Sequence, residues 1–116
     1  MADVLPVTKG TLDVIVLRAL NWAPMHGFEI VEWIDRTTKR SLDVTDAAVY
    51  QAVYRMERRG LLKASWGLTE NNRRARYYEL TAAGKAHLRD ETKRWVQYAS
   101  AVTELLTGPV TPKARR

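Results

Sequence analysis

Cysteine is absent from the 116 residues. That removes disulfides, thiolate nucleophiles and Cys-containing zinc sites, and nothing in the chain asks for an oxidising compartment. Histidine occurs only twice, at His26 and His87, remote from each other and outside any nucleophile or metal-ligand motif. With no phosphate-binding glycine loop either, the chain is expected to be no enzyme and to hold no metal and no cofactor. Long apolar runs are missing too, none approaching the roughly 20 residues of a membrane span, and Met1 to Pro6 lacks the basic and apolar regions of a signal peptide. The expectation is a cytoplasmic protein that uses no membrane.

Acidic residues are the minority, 13 against 19 Lys and Arg, which leaves a net charge of +6 and favours a polyanionic partner. The excess is concentrated between residues 55 and 76, where Arg55, Arg58, Arg59, Lys63, Arg73, Arg74 and Arg76 meet only Glu57 and Glu70. A solvated face explains such a cluster on one helix, but this one spans a helix end, a strand and a turn. The length suits one domain with a modest core, extended by an element that packs on a second subunit.

Leu12, Ile15, Val16, Ala19 and Leu20 recur at spacings of three and four, predicting a helix over residues 9–21. A break containing Pro24 follows, and Gly27, Ile30, Val31 and Ile34 predict a second helix reaching Thr38. Residues 39–44 have no period. Thr45 and Asp46 cap and charge a third helix that runs to Arg59 and stops at Gly60. The period then becomes two: Leu62, Ala64, Trp66 and Leu68 alternate with Lys63, Ser65 and Gly67 as in a half-buried strand. A polar turn over Thr69 to Arg74 and an aromatic return through Arg76, Tyr77, Tyr78 and Leu80 complete a hairpin with a basic tip. Thr81 caps a last helix through Leu106, ended by Gly108 and Pro109.

This order predicts a mainly α fold with a small β-hairpin: a winged helix-turn-helix plus a long C-terminal dimerisation helix. Residues 1–80 are expected to form the DNA-binding domain, 81–108 the dimerisation helix and 109–116 a disordered basic tail.

On the third helix Val49, Val53 and Met56, with Ala52 beside them, fall on the side expected to face the core. The opposite side carries Ala47, Gln51, Tyr54 and Arg58, flanked by Tyr50 and Arg55. Gln suits an adenine edge, Arg guanine or phosphate, Tyr phosphate, and Ala a thymine methyl, so double-stranded DNA is the expected partner. At the hairpin, Asn72, Arg73, Arg74 and Arg76 can grip phosphates or enter the minor groove.

These residues together resemble the PadR-like bacterial transcriptional regulators. The resemblance rests on Lys9-Gly10-Thr11-Leu12-Asp13, His26-Gly27-Phe28-Glu29-Ile30, Ala48-Val49-Tyr50, Arg55 to Leu62, and Arg74 to Gly84. It implies the short-tailed subgroup, and a dimeric repressor on a palindromic operator with Tyr50, Arg73, Arg74 and Arg76 at the DNA. Family members often carry glycine and threonine ahead of that tyrosine; Ala47, Ala48 and Val49 stand here instead, so base contacts do not transfer.

Leu88, Thr92, Trp95, Ala99, Val102 and Leu106 follow a four-three spacing along the last helix, the seam of a helix that lies against a partner. A helix of about 25 residues, roughly 37 Å long, outruns a three-helix core, so a homodimer is expected, with the first helix contributing. The resemblance also implies that Trp95 can stack a small, flat hydrophobic effector; plain interface packing is its other reading. Trp22, Trp33 and Trp66 are expected to be packing residues, with Trp33 near the interface edge. A winged-helix module that recognises protein instead of DNA is the alternative function, and salt-steep binding to duplex DNA separates the two.

Overall fold

The structure, a computed structural model, describes residues 4–109, 111 and 112. The chain runs β1 (Leu5–Pro6), α1 (Lys9–Leu20), β2 (Met25–His26), α2 (Gly27–Thr38), β3 (Leu42–Asp43), α3 (Asp46–Arg58), β4 (Leu62–Leu68), β5 (Arg74–Leu80) and α4 (Ala82–Thr107). Four helices and a hairpin thus follow one another in the winged helix-turn-helix order, with the long helix last. Most of the expected tail, residues 110 and 113–116, lies outside the described residues.

Each helix begins on a side chain able to satisfy its free N–H groups. Thr8, Thr45 and Thr81 accept from the backbone N–H three residues on, at Thr11, Ala48 and Gly84. His26 does the same for α2 through Nδ1, which accepts from Glu29 N–H at 3.3 Å, while the Glu29 carboxylate accepts from His26 N–H at 3.1 Å. This reciprocal box ties the start of α2 to β2, and β2 pairs antiparallel with β5, Met25 opposite Tyr78 and His26 opposite Tyr77. The sheet order is β2-β5-β4; a separate parallel pair joins β1 to β3 at Leu5–Leu42 and Pro6–Asp43. Strands of two residues carry no period, and none of these three was foreseen.

The core lies where α1, α2 and α3 meet. Val16, Leu17, Ile30, Ile34, Val49, Val53 and Met56 are fully buried there. Leu61, Leu62, Tyr78, Leu80 and Leu88 close it from the hairpin and α4. Burial pushes the Tyr78 phenol up against the lowering pull of Arg76, so the ring stays neutral in the core.

Four expectations change. Leu17 takes the core position and Ile15 is only half-buried, because α1 is covered on a broader arc than its five-residue stripe implied. Trp22 and Trp66 are exposed, not packed: each lies under a guanidinium, Arg18 at 4.7 Å and Arg74 at 4.6 Å. Trp33 is half-buried. The alternation in β4 is covered only at Leu62 and Ala64, since the hairpin projects past the helices that bury its base and leaves Leu68 in solvent. Leu88 is only 7% exposed against the chain's own core, so it belongs to the fold and the free seam of α4 starts beyond it.

Candidate nucleic-acid interface

The side of α3 turned away from the core is exposed along its length: Ala47, Tyr50, Gln51, Tyr54 and Arg58 all reach solvent. Thr45 and Asp46 start the helix, placing Ala47 on its first turn with no bulk between backbone and ligand. Tyr50 is held from behind. Its ring lies on Gly27 at the start of α2, where a Cβ would meet the ring at 2.5 Å, so a larger residue there would push the tyrosine aside. Four residues on, Tyr54 carries the Arg58 guanidinium 5.7 Å from its ring centre, which restrains that arginine on the exposed side.

The cationic cluster divides once its partners are visible. Arg55 is ion-paired through Nη2 to Asp13 of α1 and is partly buried. Arg76 Nη2 lies 2.7 Å from Glu57 Oε2, joining β5 to α3. Lys63 faces Glu79 across the hairpin at 3.6 Å. Arg55 and Arg76 thus tie α1 and the hairpin to α3, while Lys63 bridges the two strands of the hairpin, so Arg55 and Arg76 already have carboxylate partners in the fold. Arg58, Arg59, Arg73 and Arg74 make no ion pair among the described residues, and they are exposed.

At the tip of the hairpin the Thr69 hydroxyl accepts from Arg73 N–H, and Asn72 adopts the left-handed conformation, φ 61, that asparagine tolerates better than most residues. The turn thereby projects Asn72, Arg73 and Arg74 outward together. Lys9, which the sequence offers only within the family resemblance and not as a contact, lines a cleft with Gln51 and Arg55 at the start of α1. A lone lysine ahead of an apolar helix carries no signal of its own; only the packing of α1 on α3 brings it there. A row of hydrogen-bonding and aromatic groups on one helix, with unpaired cations at its end and on an adjacent wing, can place base-edge and phosphate contacts side by side.

The long α4 has a different character. Beyond Leu88, Thr92, Trp95 and Leu106 are exposed and Ala99 and Val102 half-buried. Trp95, Val96 and Thr92 form one wall of an apolar groove of about 420 Å³ whose other walls come from α1 and α2, including Ile15 and Trp33. None of the described helices is long and apolar enough to cross a membrane.

Comparison with known proteins agrees with this architecture. A protein of Streptococcus mutans superposes with a TM-score of 0.78 over 93% of this chain and 97% of its own, at 23% identity. A transcriptional regulator of Clostridium thermocellum gives 0.75 over 83% and 93%, at 25% identity. An uncharacterised protein of Lysinibacillus sphaericus is 28% identical over 102 residues, 88% of this chain and 94% of that protein. The sequence profile of the transcriptional regulator PadR-like family matches residues 16–90, from within α1 through α3 and the hairpin into α4. With the winged fold, the exposed face of α3 and this match over most of its length, the chain belongs to the PadR-like family of DNA-binding transcriptional regulators.

Proposed function

We propose that the protein is a cytoplasmic repressor that binds a palindromic operator as a homodimer. The observation that carries the reading is that Ala47, Tyr50, Gln51, Tyr54 and Arg58 on α3 and Asn72, Arg73 and Arg74 on the wing are all exposed. Helix α3 enters the major groove, and the wing grips the flanking backbone. Residues 1–80 form the DNA-binding unit, and within 81–108 the seam of Thr92, Trp95, Ala99, Val102 and Leu106 joins a second copy, setting the separation of two half-sites. Occupancy of such a site blocks transcription. The apolar groove beside Trp95 suits a small, flat hydrophobic effector, which would stack on the indole and release the operator.

Fluorescence anisotropy with duplex DNA from the protein's own upstream region and a scrambled control, at several salt concentrations, tests the reading. The native duplex is expected to bind more tightly, with affinity falling steeply as salt rises. Tyr50→Ala and Arg58→Ala are each expected to weaken it about tenfold while leaving the circular dichroism spectrum unchanged. Unaltered affinity in both variants rules out this docking surface. Absence of binding even at low salt favours the protein-recognition module. Planar aromatic compounds added to the preformed complex test the effector: a fall in anisotropy that Trp95→Ala abolishes is the expected result.

A further inference from the structure

The hairpin keeps an apolar surface where its fold no longer needs one. In the β4–β5 register Leu62 lies opposite Leu80, Ala64 opposite Tyr78, Trp66 opposite Arg76 and Leu68 opposite Arg74, and paired residues share a face. At the base, that face is covered by the core. Midway, Arg76 on it reaches Glu57 of α3. Toward the tip it ends in Trp66 and Leu68, each 62% exposed, with the Arg74 guanidinium over the indole.

We propose that Trp66, Leu68 and Arg74 form a DNA-contacting plate on the wing, which packs on the deoxyribose and phosphate chain beside the minor groove. The inference rests on the DNA-binding reading and adds an apolar contact that a basic wing tip does not imply. Three features select this occupant. The plate continues the face through which the hairpin is tied to α3, so it adjoins the proposed major-groove surface. Unpaired Arg73 and Arg74 border it, and an apolar protein partner would bury their charges without compensation. The sugar-phosphate chain, by contrast, offers carbon to Trp66 and Leu68 and phosphate oxygen to Arg74 within one residue's reach. Because Arg74 already covers one face of the indole, Trp66 is unsuited to slide between two bases, an insertion that needs both faces free. It therefore packs against sugar, and the contact strengthens binding without sequence preference.

The test uses the whole protein. Trp66→Ala is expected to weaken binding about tenfold on native and scrambled duplexes alike, with the salt dependence unchanged, since no charge is lost. Arg74→Ala should instead lower the salt slope by about one ion. In protein labelled with 5-fluorotryptophan, the fluorine resonance missing from Trp66→Phe identifies Trp66. Its solvent isotope shift between H2O and D2O is expected to vanish when the operator is saturated. Wild-type affinity in Trp66→Ala, a salt slope that falls as it does in Arg74→Ala, or a retained isotope shift overturns the plate while DNA binding stands. If the unsubstituted protein binds no duplex at low salt, the DNA reading itself fails and the plate falls with it.

Discussion

Replacing Trp95 and Val102 together with aspartate is expected to leave a folded monomer that binds the operator about a hundredfold more weakly than the parent protein. Helix α4 is 26 residues, roughly 39 Å long, yet only Gly84 and Leu88 near its start are buried. Trp95 is 49% exposed and Leu106 79%, and Val96, Tyr98 and Leu105 widen the apolar arc beyond the four-three seam. An isolated chain gains nothing by displaying so much carbon to water, whereas a second copy, in the proposed dimer, would bury it. Trp95 is about half exposed and Val102 half-buried on a helix whose buried residues end at Leu88, so two aspartates there keep access to water in a monomer and leave its fold intact. In a dimer they would be desolvated beside their own symmetry mates, which the interface cannot accommodate. Losing the second half-site forfeits the effective concentration that links the two binding events. Sedimentation velocity measures the assembly and anisotropy the affinity. A dimer that survives the double substitution means that another face of α4 makes the contact.

Gly84→Ala is expected to lower stability by about 3 kcal/mol and the melting temperature by roughly 10 °C or more, although alanine is otherwise the better helix former. A Cβ at Gly84 would stand 2.0 Å from the Leu61 carbonyl oxygen, a backbone atom that cannot rotate aside. That oxygen accepts from Thr81 N–H at 3.1 Å, and the Thr81 hydroxyl both donates to Gly60 O at 2.7 Å and accepts from Gly84 N–H at 3.0 Å. The end of α3, the start of β4 and the cap of α4 therefore share one knot, and a methyl group forces it open. Thermal unfolding followed by circular dichroism checks this. A melting temperature equal to that of the parent protein would show that the junction yields more easily than this geometry allows. Gly10→Ala, where a Cβ meets nothing within 4 Å, is the control and should not destabilise.

Most of the architecture was legible along the chain because helices and caps are local devices. The threonines at positions 45 and 81 each meet an N–H three residues on, and α2 and α3 bury one face at the period of a helix, so their limits follow from neighbours in sequence. The exposed row on α3 was equally legible, being the complement of Val49, Val53 and Met56. Charge was less so. Seven cations between residues 55 and 76 looked alike as a cluster, but Asp13 is 42 positions from Arg55 and Glu57 is 19 from Arg76, and only folding brings those pairs together.

What the sequence by itself determined was the order of the four helices and the hairpin, the caps at Thr45 and Thr81 and the polar side of α3, since each depends on contacts within a turn or two of helix or along one strand. What only the tertiary structure decided was which members of those patterns are spent on the fold. Leu88 looks like the rest of its seam, yet the core takes it; Trp66 looks like its strand mates, yet the projecting hairpin leaves it in water. The reason is that period reports direction from the helix or strand axis, whereas burial depends on whether another element extends far enough to cover that direction.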